Sequence, residues 1–138
     1  LAGQSVCIFP KSHKLRRLKR VTPTDLSDEE FISYKSDSVY RHKVDRLFAK
    51  AKVRRSLRYE ARTTDAICKL VATGIGVSIV GPSFAGLKLE TGIEVRPFEP
   101  TLHGDLALLY LRNRESSRLI NAFCETVIKT IRGGPRLN

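Results

Sequence analysis

Apolar positions in this chain follow two rhythms that alternate along its length. One is the short run rich in β-branched residues, and the other is a stripe spaced three and four apart. Val6-Cys7-Ile8-Phe9, closed by Pro10, predicts a strand. From Lys11 to Thr24 the chain is basic and polar, with too few apolar positions to predict a core element. Phe31-Ile32 begins a second short strand, and a polar loop runs from Ser33 to Ser38. Asp37 or Ser38 can cap the next helix, in which Tyr40, Val44, Leu47, Phe48 and Ala51 form a 3.6-residue stripe. Leu57 to Ala61 predicts a third strand.

The segment from Thr63 to Pro82 is the densest in signals. Thr63 or Thr64 can cap a helix, because a hydroxyl accepts from the free N–H groups of a first turn. Ile67, Leu70 and Val71 give that helix one apolar face. Gly74 stands where a left-handed residue ends a helix, and Val77 to Val80 has the composition of a buried strand. Further on, Ile93, Val95 and Pro97 alternate, and Leu106 to Leu111 is a continuous apolar run. Ser116 or Ser117 can cap a last helix that turns Leu119, Ile120, Phe123, Val127 and Ile131 inward and ends at Gly133-Gly134-Pro135. Strands alternating with helices predict an α/β sheet with crossovers, and there is no internal repeat.

A length of 138 residues suits a domain with a real core. The formal net charge is +11, and most of it sits early: residues 1–55 carry 14 Lys and Arg against 6 Asp and Glu, while residues 56–138 carry 11 against 8. Such a balance attracts polyanions, so direct nucleic-acid binding by the basic first half is one reading. The plainer one makes Arg16-Arg17-Leu18-Lys19-Arg20 a solvated loop and Arg54-Arg55 a cationic helix end suited to the dipole. Cys7, Cys68 and Cys124 lie among apolar residues, without a CxxC or a His at metal spacing. Buried reduced thiols in a cytoplasmic setting are therefore expected, with no metal and no disulfide framework. No apolar run approaches the ~20 residues of a membrane span. The first residue is Leu1, no signal-peptide pattern is visible, and a fragment of a longer protein is expected.

Catalysis finds little footing. His13, His42 and His103 stand apart from any nucleophile at a usable spacing. Gly74-Ile75-Gly76 follows a helix instead of opening one and lacks the third glycine of a dinucleotide fingerprint. No enzymatic activity and no cofactor are expected. Binding has better candidates. The helix openings Ser36-Asp37-Ser38 and Arg62-Thr63-Thr64 offer unpaired N–H groups and hydroxyls, which can hold a carboxylate as well as cap a helix. Arg41, next to Tyr40, could form a bidentate pair with a carboxylate or simply face water. Gly81, before Pro82, would let backbone approach a ligand, or it is an ordinary strand-ending turn.

Thr63-Thr64 followed by an apolar helix and Gly-Ile-Gly-Val-Ser-Ile-Val-Gly-Pro resembles the effector-binding domain of LysR-type transcriptional regulators. Pro10-Lys11-Ser12-His13-Lys14-Leu15 resembles that family's Pro-x-x-His-Pro-Leu, with Lys14 in place of proline. Thr22 to Leu26 with Phe31-Ile32-Ser33, then Ser38-Val39-Tyr40-Arg41, are similar to further family segments in the expected order. The likeness spans roughly Val6 to Ile131. It implies a two-lobed fold of the type II periplasmic-binding-protein kind, with residues 11–98 as a complete second lobe and residues 1–10 and 99–138 as part of the first. Val6–Phe9 and Leu106–Leu111 would then lack sheet neighbours, and the winged helix-turn-helix would be absent from this chain. The resemblance also implies a small-molecule effector in the inter-lobe cleft, touched by Ser36, Asp37, Ser38, Tyr40, Arg41, Thr63, Thr64, Gly81 and Pro82. It implies a homodimer or tetramer, and contact with DNA only through the missing domain. The Ser-x-Tyr-Arg opening is similar to regulators that respond to lysine-pathway amino acids and to the opines octopine and nopaline. A transport protein that binds solutes with the same fold is the alternative in another class.

Overall fold

The computed structural model describes residues 4–81, 92–102 and 118–133, with side chains as far as 130. By its contacts the chain divides into two units, Ala2–Gly104 and Asp105–Asn138 with Leu1. In the first unit, β1 (Val6–Pro10) lies between β4 (Ser78–Val80) and β5 (Ile93–Pro97), antiparallel to both. A second sheet pairs β2 (Glu30–Tyr34) with β3 (Ser56–Ala61) in parallel, with a register shift between Phe31 and Ile32. Two helices follow the parallel strands: α1 (Val39–Ala51) after β2, and α2 (Thr64–Ala72) after β3.

The two sheets meet at one parallel bridge, Phe31 with Val77. There the Val77 N–H donates to the Glu30 carbonyl and the Ile32 N–H to the Val77 carbonyl, both at 2.9 Å. The buried Ser78 hydroxyl donates to the Ile32 carbonyl at 2.7 Å, so this inward polar group is satisfied. Gly76 makes the approach possible, because a Cβ there would stand 2.5 Å from the Glu30 carbonyl oxygen.

Alternation along the strands fills both faces. Cys7, Phe9, Phe31, Val77 and Ile79 join one buried cluster, while Ile8, Ile32 and Val80 join the other. Val44 and Phe48 of α1 close the first, and Ile67, Cys68 and Val71 of α2 close the second. A sheet covered on both faces explains why its strands read as unbroken apolar runs.

Four expectations change. Val6–Phe9 was expected without sheet neighbours; β1 is instead the middle strand of its sheet, with Val6 to Ile8 paired to β4 and Val6 to Pro10 paired to β5. The stretch from Lys11 to Thr24 does supply core: Leu15 and Val21 are buried, on and beside 3-10 turns at Lys14–Arg17 and Pro23–Leu26. His13 caps the first turn by accepting the Leu15 N–H at Nδ1, and the Asp25 carboxylate closes the second by accepting the Thr22 N–H and hydroxyl. These short local bonds let a polar segment fold back and bury its few apolar residues. Ala51, at the end of the α1 stripe, is exposed, since the helix runs out past the core there.

The last change concerns α3 (Arg118–Gly133), described by itself. Leu119, Ile120 and Phe123, expected inward, are 78%, 39% and 61% exposed. Periodicity decides which residues share a helix face, not whether anything covers that face. Leu106–Leu111, Ser116, Ser117 and Gly134-Pro135 fall outside the described residues. Cys7 and Cys68 are buried and Cys124 is half-buried, none of them in a disulfide. Among the described residues no helix is long and apolar enough to cross a membrane, and no acidic, His and Cys cluster could hold a metal ion.

Gly76→Ala should lower the urea midpoint of unfolding by an overpacking cost of about 1–3 kcal/mol, because the added methyl meets rigid backbone. Gly74→Ala meets open space at a φ of +86° and should cost about 1 kcal/mol, from backbone strain alone.

Candidate functional site

The carboxyl ends of β2, β3 and β4 point the same way, since β2 runs parallel to β3 and, at the Phe31–Val77 bridge, to β4. In open α/β sheets that edge is where ligands bind, because the helices that follow begin there. Here α1 opens at Ser38 and α2 at Thr63. The Ser38 hydroxyl accepts the Arg41 N–H at 3.5 Å, and the Thr63 hydroxyl accepts the Ala66 N–H at 3.2 Å. The first two amides of each helix, Val39 and Tyr40, then Thr64 and Asp65, have no intrahelical acceptor and carry the positive end of the dipole.

Side chains tie the two openings together. The Tyr34 and Thr64 hydroxyls are 2.7 Å apart, linking the end of β2 to α2. The Tyr34 and Tyr40 rings meet edge to face with centroids 5.5 Å apart. Gly81 closes the group: a Cβ there would lie 3.2 Å from Cε2 of Tyr40. Asp37 and Arg62, both exposed, face each other at 3.9 Å across the gap between the loops. Ser36 is exposed beside them, and Pro82 lies outside the described residues.

Burial raises the Tyr34 hydroxyl above the ordinary tyrosine range, against the opposing Thr64 hydrogen bond. Burial also pushes Tyr40 well upward, helped by the nearby Tyr34. The Tyr40 hydroxyl has no hydrogen-bond partner among the described residues. Ser5 is near enough to favour its ionised form, but outside hydrogen-bonding geometry.

Arg41 takes a different place from the one the sequence suggested. It is neither solvated nor open to a ligand carboxylate through Nε and Nη1. Nε donates to both oxygens of Asp45, at 2.8 and 2.9 Å, and Nη1 donates to the Tyr34 carbonyl at 2.9 Å and to Glu60 at 2.8 Å. Arg41 therefore fastens α1 to the ends of β2 and β3 and holds the site from behind. Arg55, expected as part of a cationic helix end, has a side chain only 6% exposed. It pairs with Asp45 and stacks its guanidinium 4.7 and 4.6 Å from the ring centres of Phe31 and Phe48. Lys52, at φ 56°, reverses the chain so that Arg55 returns under the helix. Burial, then the charge of Arg41, lowers the Arg55 pKa to about 10.

Sequence reading thus missed Tyr34, Asp45, Arg55 and Glu60. Asp45 stands four residues after Arg41, a readable helical pair. Nothing in Arg54-Arg55 distinguishes the buried arginine from the exposed one.

The sequence matches the LysR substrate binding domain family over residues 2–132. It is 32% identical over 123 residues to the transcriptional activator protein LysR of Escherichia coli, covering 89% of this chain and 40% of that protein. It is 26% identical over 132 residues to the regulatory protein NocR of Agrobacterium tumefaciens, covering 96% and 44%. The chain therefore spans less than half the length of these relatives. The fold is similar to the regulatory domain of Synechocystis CcmR, solved in complex with 2-PG, with a TM-score of 0.78 at 20% identity over 99% of this chain and 66% of that one.

Two tests follow from this geometry. Asp45→Ala should cost about 3 kcal/mol, the low end for removing one partner from buried charges because Asp45 is itself part-exposed; Asp37→Ala, from an exposed pair, should cost under about 1 kcal/mol. Urea midpoints of the two variants read the difference. Tyr34 and Tyr40 both have raised pKa values when folded. Their contribution to stability should thus be full below the unfolded value of 10.0 and decline as pH rises above it, because there only the unfolded chain releases those protons. The double variant Tyr34→Phe, Tyr40→Phe should flatten that alkaline decline.

Proposed function

This chain belongs to the LysR substrate-binding domain family, and we propose that it is the effector-sensing part of a bacterial transcription regulator. The observation that carries the reading is the meeting of two helix N-termini at one sheet edge, in a chain that the family match covers almost throughout. The effector is a small carboxylate or amino-acid-like molecule. Its carboxylate lies against the open amides of Val39, Tyr40, Thr64 and Asp65 and the hydroxyls of Ser36, Ser38, Thr63 and Thr64, with the Tyr40 ring and Gly81 beside it. Arg41 acts behind this surface by holding the Tyr34 carbonyl. Asp37 sits at the rim and suits an ammonium group, which favours zwitterionic ligands such as amino acids and opines.

The response is a linkage. A ligand that binds one arrangement of the regulator better than another shifts the population by that difference in affinity. Sequence-specific DNA contact comes through a domain elsewhere in a longer protein, as the relatives' greater lengths support. The regulator works in the cytoplasm as a homodimer or tetramer, and the chain binds its ligand without transforming it.

Thermal unfolding against amino acids, opines and small carboxylates tests this reading. One ligand should raise the melting temperature with its concentration, since it binds only the folded state. Thr64→Val should abolish that shift and leave a cooperative transition, at a cost of about 1 kcal/mol from the lost hydrogen bond to Tyr34. An unchanged shift in that variant removes Thr64 from the site. A flat panel from folded protein counts against the ligand class.

A further inference from the structure

We propose that the loop from Lys11 to Arg20 is a contact surface for the phosphate backbone of duplex DNA, an inference that rests on this chain being part of a DNA-bound regulator. The loop carries six cations and no acid in ten residues. Lys14 pairs with Glu29 and Arg20 with Glu99. Lys11, Arg16, Arg17 and Lys19 are exposed and have no carboxylate partner among the described residues. Elsewhere Arg41, Arg55, Arg58, Arg62 and Arg96 each face an acid. The α1 tail also has exposed cations, Arg46, Lys50 and Arg54. Lys50 there lies in the last helical turn, where terminal carbonyls already attract a cation.

What separates the loop from an ordinary solvated charge run is its fixed backbone. Leu15 is buried beneath it. Arg96 donates to the Leu18 carbonyl through Nε and to the Arg16 carbonyl through Nη2, both at 2.9 Å. The Lys11 N–H donates to the Gly92 carbonyl and the Val21 N–H to the Pro97 carbonyl, so the loop is pinned at both ends. A surface already ordered loses less entropy when it binds. The loop has no Phe, Tyr or Trp to stack on an unpaired base, so duplex phosphate is the fitting partner rather than single-stranded nucleic acid.

Fluorescence anisotropy of a short labelled duplex of arbitrary sequence, titrated with the full chain across a potassium chloride series, tests the assignment. The triple variant Arg16→Ser, Arg17→Ser, Lys19→Ser should bind more weakly, and its log–log salt slope should be shallower by about 0.9 per lost phosphate contact, about 2.7 in all. Arg46→Ser, Lys50→Ser, Arg54→Ser removes the same charge and should leave the slope nearly unchanged. Melting curves establish that both triples fold. No binding by the unaltered chain at the lowest salt overturns the proposal, as does equal loss in the two triples. Loop-dependent binding to phosphatidylserine vesicles without binding to DNA also overturns it. The effector melting panel, repeated on the loop variant, separates this outcome from failure of the sensor reading, because the loop does not touch the helix openings.

Discussion

The Ala2–Gly104 unit depends on one close approach of backbone to backbone, where Val77 passes Glu30 and Ile32. Two sheets of different kind meet there, one antiparallel around β1 and the other the parallel pair β2 and β3. The junction tolerates no Cβ at residue 76, so a glycine before the strand is a geometric requirement. With the junction closed, apolar residues of β1, β2 and β4 form continuous layers on both faces. α1 and α2 can then cover opposite sides of one wall.

The same junction sets the edge that carries the candidate site. It brings the end of β4 level with the ends of β2 and β3, so the openings of α1 and α2 converge with Gly81 at the end of β4. Charge buried behind that edge keeps it in place. Asp45 serves two guanidiniums, Arg41 from its own helix and Arg55 from the chain returning after it. Two buried cations with a shared carboxylate are poor stabilisers compared with an apolar core, but they are intolerant of losing a partner. That makes the arrangement a device for geometry. Arg41 grips the Tyr34 carbonyl while the Tyr34 hydroxyl meets Thr64, which couples α1, β2 and α2 through one tyrosine. The front of the edge is left to backbone amides and hydroxyls, which can receive an anion without a buried cation.

Local chemistry made much of this legible. The strand at Val6, the caps at Ser38 and Thr63, the stripe of α2, the left-handed Gly74 and the strand at Ser78 all rest on contacts within a few residues, and each was readable in order. The candidate site was legible as helix openings, because a cap names its own position. Arg41 was visible as a residue but not in its role. Whether an arginine faces water, ligand or carboxylate depends on residues 34, 45 and 60, brought together only by folding. Arg55 was invisible for the same reason, since its two aromatic neighbours lie 24 and 7 positions away in sequence.

By itself, then, the sequence determined the strands and helices between Val6 and Val80, the caps at Ser38 and Thr63, and the basic character of the loop before Val21. These follow from side-chain periodicity and short-range hydrogen bonding, which need no distant partner. The tertiary structure decided that β1 is a central strand, that Leu15 and Val21 belong to the core, and that Leu119, Ile120 and Phe123 of α3 are exposed. It also decided that Arg41 and Arg55 are buried around one aspartate. Each of those outcomes turns on pairing or burial between segments far apart in the chain, where the energy of a contact depends on what arrives opposite it.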